Sequence, residues 1–155
     1  MKIGIATFMI ESRMRKEMSS YLSSWEFGWG NGYVLLPPNH PFYGIDYDNI
    51  PVNVHGGLTY GQKFDSKNFS EWLRNLKSFG DLTLDNCKKF DGYWMIGFDT
   101  AHFGDNEINC SRNFVSNEVA DLLEQCLDDK IEGISKYKTI YLRKKKLEKI
   151  NHLKQ

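Results

Sequence analysis

Along this chain, apolar and polar positions alternate between two periods, which outline a mixed set of elements. Residues 2–9 form a short apolar run that reads as a strand. Residues 10–24 follow with Met14, Met18, Tyr21 and Leu22 at helical spacing. The stretch 25–32 is aromatic and glycine-rich and carries Asn31-Gly32, a turn signal. Tyr33-Val34-Leu35-Leu36 reads as a strand stopped by Pro37-Pro38, and a turn-rich loop fills 39–48. Residues 51–55 alternate like a strand and deliver His55 at their end. A helix is predicted over 68–78, with Phe69, Trp72, Leu73 and Leu76 on one face. Phe90 to Phe98 is the strongest strand signal, and 99–114 reads as loop. A helix over 116–131 carries the stripe Val119, Leu122, Leu123, Cys126 and Leu127, with Ser116 as N-cap and Gly133 as its stop. From residue 134 a second, more basic helix is predicted.

Strands and helices in this order lack regular βαβ alternation. The expectation is an α+β fold: a single domain with a small, mainly antiparallel sheet, two or three packed helices and a basic C-terminal helix. The division is 1–133 for the α+β domain and 134–155 for the basic helical tail.

Charge sharpens that division. The net charge of the 155 residues is zero, but residues 134–155 hold eight Lys/Arg and one Glu, a net of +7, which leaves −7 for the rest. The plainest reason is a basic helix lying against, or solvated beside, an acidic body, so direct nucleic-acid binding is not expected. No apolar run approaches the length of a membrane span, and residues 1–18 make a poor secretion signal. Cys87, Cys110 and Cys126 match no CxxC or zinc-finger spacing and read as reduced thiols of a cytoplasm. Oligomeric state is left open, with a homo-oligomer allowed.

Candidate chemistry concentrates in two cassettes, His55-Gly56-Gly57-Leu58-Thr59-Tyr60-Gly61 and Gly97-Phe98-Asp99-Thr100-Ala101-His102-Phe103-Gly104-Asp105. In the first, Gly56 and Gly57 offer bare N–H groups, and His55, Thr59 and Tyr60 add side-chain donors for a phosphate or carbonyl. The bland alternative is a strand end followed by a tight glycine turn. In the second, Asp99, His102 and Asp105 recur every three residues. With His55 they could ligate one divalent cation, contact a ligand directly, or form an acid/base pair in which Asp99 orients His102. The structural alternative is a self-satisfied polar loop capped by Asp99. Tyr43 and Asp46, with Tyr47 and Asp48, form a third patch able to stack on a base and hold a ribose, or simply an exposed turn.

Three stretches in this order, GYVLLPPNHP at 32–41, VHGGLT at 54–59 and GFDTAHFGD at 97–105, resemble a family of small proteins of bacteriophage and prophage genomes. The resemblance covers roughly residues 30–130 and carries no catalytic residue with it. It implies an accessory phage protein acting in the cytoplasm of a bacterial host, a setting in which such proteins often counter host defence. Two functions follow as expectations. The first is sequestration of a small nucleotide-derived signal, without a cofactor, by His55, Gly56, Gly57, Thr59, Tyr60, Asp99, His102, Asp105, Tyr43 and Asp46. The alternative is a metal-assisted hydrolase of a phosphoester or nucleotide-like substrate using His55, Asp99, His102 and Asp105 with a divalent metal. A protein-only module that blocks a host enzyme is a third reading, raised by the segregated charge. The five Arg all lie outside the cassettes, so an anionic transition state at this site would need a metal.

Overall fold

The computed structural model describes residues 4–12, 27–75 and 77–155. Its framework is a five-stranded sheet, antiparallel throughout. The strands are β1 (Ala6–Glu11), β2 (Gly30–Leu36), β3 (Tyr60–Lys63), β4 (Ser78–Gly80) and β5 (Trp94–Phe98), in the order β3-β5-β2-β1-β4. Among the described residues, three α-helices accompany it: α1 (Ser66–Asn75), α2 (Arg112–Cys126) and α3 (Ile134–Leu153). The α+β class expected from the sequence is what the chain adopts.

Period-two alternation explains the layering. On β2, Val34 and Leu36 face one side and Tyr33 and Leu35 the other, and all four are buried. The first side packs against Val115, Val119, Leu122 and Cys126 of α2 and against Ile134 and Tyr137 of α3. The second collects Phe8, Phe64, Phe69, Leu82 and Phe90 beneath α1. β2 and β5 are therefore covered on both faces, which is why they read as continuous apolar runs.

Several elements differ from their sequence reading. Ile10 and Glu11 belong to β1 and not to a helix, since they pair with Asn31 and Gly30; the remainder of the predicted helix, 13–24, lies outside the described residues. For the same reason Gly30-Asn31-Gly32 is strand, not turn. Gly32 is needed there for space: a Cβ would meet Val119 and Phe98 at 2.4 and 2.6 Å. β5 begins at Trp94 because Asp91-Gly92 turns the chain, and the Asp91 carboxylate instead accepts from the Ser66 N–H and hydroxyl at the start of α1. α1 occupies 66–75, with residues 78–80 already in β4. The edge strands β3 and β4 gave no sequence signal, because an edge strand with one partner needs little apolar surface.

The predicted strand 51–55 does not form: residues 51–54 join no strand, and Val52 N–H turns back to Ile50 O at 2.9 Å. The side-chain amide of Gln125 takes the partner's place: Asn53 N–H donates to its Oε1 (2.7 Å), and its Nε2 donates to Asn53 O (2.8 Å). α2 starts one turn earlier than predicted, with Ser111 as its cap, accepting from Phe114 N–H at 3.2 Å. It ends at Cys126, where the Asp128 carboxylate accepts from Lys130 N–H and closes a local turn. Gly133, at φ +84°, opens α3 and does not stop α2.

The first turn of α3 is part of the core, whereas almost all of the helix beyond Tyr141 is exposed. Truncations should separate the two parts. Removing 134–155 deletes Tyr137, and losing a buried aromatic of that size costs about 3–5 kcal/mol. Removing 142–155 should move the thermal midpoint by no more than a few degrees.

Candidate functional site

The two cassettes meet at the C-terminal end of β5, beside the first turns of α2. His55 reaches this point because its segment is tied to α2. Its backbone N–H donates to Glu118 Oε2 (3.0 Å), and its ring stands edge-on to Phe114 at 5.2 Å. The second cassette is stitched to the start of β2. Gly28 N–H donates to Thr100 O (2.7 Å), the buried Thr100 hydroxyl donates to Gly30 O (2.7 Å), and Trp29 N–H donates to Cys110 O (2.8 Å). Asn106 and Asn109 then close the loop upon itself, with Asn109 Nδ2 donating to Gly104 O.

At the centre lies Asp105, only 6% exposed. Its Oδ1 is 2.9 Å from His55 Nε2, and its Oδ2 is 3.0 Å from His102 Nδ1 and accepts His102 N–H at 2.9 Å. Burial alone would raise this carboxyl. The His102 N–H and the His55 and His102 side chains bonded to it more than offset that and hold it below the usual carboxylate range. An ionised carboxylate only accepts, so both imidazoles turn an N–H toward it. The two rings lie 5.4 Å apart. One donor atom from each of His55, His102 and Asp105 falls within a 4.8 Å set.

Asp99 stands at the margin. Its Oδ1 is 3.6 Å from His102 Nε2 and also accepts Ala101 N–H at 3.0 Å, the local capping foreseen as the structural alternative. Gly56 is dictated twice: its φ is +69°, and a Cβ there would sit 2.3 Å from the His102 ring. Gly56→Ala should therefore displace His102, cost about 1–3 kcal/mol in stability and loosen the His102–Asp105 contact, read by thermal unfolding and by His102 ring chemical shifts.

The other candidates separate. Thr59 is exposed and leads into β3 through its N–H bond to Gly97 O. Gly57 turns at φ +79° into open space. Tyr60 packs edge-on to Tyr33 at 5.9 Å, within the core on the α1 side of the sheet. Tyr43 is anchored at the opposite end of β5, donating to Gly92 O at 2.6 Å, and the exposed Asp46 is on that same segment. His55, His102 and Asp105 are brought together; Tyr43, Asp46 and Tyr60 are not brought to them.

Three neighbours escaped the sequence reading. Glu118 and Phe114 position His55; Glu118 lies on the predicted helix, and Phe114 falls in the stretch read as loop, which the earlier start of α2 turns into helix. Cys110 is buried with its Sγ 3.7 Å from His55 Nε2. Burial, then the charge and hydrogen bond of Asp105, push its thiol up to about 11, so it stays protonated at neutral pH and is no nucleophile here. His40, in the stretch 32–41, has a structural part. Buried at 3% exposure, it donates from Nε2 to Cys126 O (2.8 Å) and accepts Phe42 N–H at Nδ1 (3.0 Å), pinning the 37–45 loop to the end of α2.

Comparison of the chain with protein-family models, curated proteins and solved structures gives no match. Among the described residues, no helix is long and apolar enough to cross a membrane.

Proposed function

We propose that the protein is a divalent-metal-dependent hydrolase of a small phosphoester or nucleotide-like molecule, with His55, His102 and Asp105 as metal ligands. The observation that carries this reading is the spacing of their donor atoms. Ligands around a tetrahedral zinc-type ion stand about 3.3 Å apart; His55 and His102 approach different oxygens of Asp105, Oδ1 at 2.9 Å and Oδ2 at 3.0 Å, and one donor atom from each of the three residues lies within 4.8 Å of the others. Binding would require each imidazole to move its proton to the far nitrogen. For His102 that nitrogen is Nε2, and Asp99 waits beside it as the carboxylate that favours this tautomer. When bound, the ion supplies Lewis acidity and an acidified water. That offsets the absence of Arg and Lys from both cassettes. The phage-type setting suggested by the cassettes would make the substrate a nucleotide-derived immune signal.

A second reading, sequestration without chemistry, is favoured by one observation: Asp105 is already satisfied by three hydrogen bonds within the chain. The two readings part in one experiment. Purified protein is loaded with zinc or manganese, incubated with a panel of cyclic and linear nucleotides, and denatured. Altered product that disappears with chelator and in His102→Ala supports the hydrolase. Intact nucleotide released from metal-free protein supports the binder.

A further inference from the structure

We infer that α3 docks on a second copy of this chain, its outer half lying along the acidic ridge and groove at the end of the other copy's α2. Only Ile134 and Tyr137 of α3 are fully buried, and from residue 142 onward every position except Lys145 is exposed. About twelve residues, roughly 18 Å of helix, therefore stand clear of the body. That segment is not simply a solvated basic face. Ile140, Leu142, Leu147, Ile150 and Leu153 are between 40% and 87% exposed, and they are five of the eight large apolar side chains exposed among the described residues. Burying them elsewhere is favourable.

The arrangement of these side chains selects the kind of partner. Ile140, Leu147 and Ile150 fall on one side of the helix with Arg143 among them, and Leu142 and Leu153 on another, with Lys146 between the two groups. A helix lying in a membrane surface needs segregated apolar and basic faces. Nucleic acid would take the charge and leave the leucines in water. An interleaved surface fits a protein face that is itself apolar and acidic.

The chain carries such a face. Residues 118–132 hold six acids (Glu118, Asp121, Glu124, Asp128, Asp129 and Glu132) against Lys130, a net of −5. Beside this ridge opens a groove of about 590 Å³, walled by Pro41, Ile45, Pro51 and Ile131 and rimmed by Asp128 and Glu132 with Lys130 between them in sequence. One contact of the required type exists within the chain, Lys138 Nζ to Asp129 Oδ1 at 2.6 Å. The groove adjoins the base of α3, where Gly133 lies against Pro41. Two copies with antiparallel α3 helices would set each helix tip over the other copy's groove. That is a closed two-fold pair with both contacts repeated. A formal net charge of zero leaves no overall repulsion between copies.

Sedimentation velocity on the full-length protein across the micromolar range tests this. The expected result is a dimer at low salt that weakens as salt rises. The double reversals D128K/E132K and K149E/K154E should each raise the dissociation constant about tenfold or more. Mixing the two variants should restore the dimer, because each reversed surface then meets its complement. All four positions are exposed, and D128K gives up only the exposed bond from Lys130 N–H, so folding should survive, as circular dichroism would show. A monomer throughout, or a dimer that neither reversal weakens, overturns the inference. So does a monomer whose tail binds phosphatidylserine vesicles, which would identify a membrane as the partner.

Discussion

Replacing Asp105 with alanine is expected to abolish metal loading and to destabilise the fold by about 2–4 kcal/mol, more than any other exchange within the cassettes. Its carboxylate holds His55, His102 and the His102 backbone N–H at once. Removing it leaves a half-buried N–H without an acceptor and both imidazoles without orientation. Asp105→Asn keeps the shape and one acceptor, so it should recover part of the stability while still losing the metal. Urea unfolding reads the first effect, and metal content after gel filtration reads the second. Alanine at Asp99 should leave metal bound and weaken it only about tenfold or more, because that carboxylate would act through His102. Equal stability of wild type and Asp105→Ala would show the cluster to be held by the loop backbone alone.

Mild acid should destabilise the protein well before its carboxylates titrate. Burial holds the His40 imidazole below its ordinary value, partly opposed by its bond to Cys126 O. The unfolded chain, with a histidine near 6.5, then binds more protons than the folded one as pH falls. Stability is therefore full above about 6.5 and declines below it, toward the lower pKa of the folded state. Protonation would also place a second N–H at Nδ1, opposite the Phe42 N–H that it now accepts. Asp105 adds a later loss with the same sign. Its depressed carboxyl contributes stability above about 3.9, and that contribution vanishes as pH falls through the folded value. Thermal midpoints measured from pH 7.5 to pH 4 should fall first through the His40 range. A flat profile down to pH 5 would mean that the His40 site opens to water at little cost.

The apolar runs of β2 and β5 and the stripe of α2 were legible because each is a local pattern: period two for a strand, period three to four for a helix. So was the expectation that His55, Asp99, His102 and Asp105 share one site: His55, His102 and Asp105 meet, with Asp99 at the margin, although the run before His55 is held by Gln125 and not by the sheet. The edge strands β3 and β4 were not legible. Their formation depends on the exposed backbone of β5 and β1, not on their own side chains. Residues 51–54 looked like a strand and became something else, because Gln125, 72 positions away from Asn53, supplies the missing amide pair. The same holds within the site. Glu118, Phe114 and Cys110 enter it only because α2 packs on one face of the sheet, while Tyr43 and Tyr60 leave it because β5 separates the two ends and faces. Sequence by itself determined which residue types could do chemistry and where local periodicity would hold them. Which of them meet was decided by the tertiary structure, since contacts between distant segments depend on packing that no local period encodes.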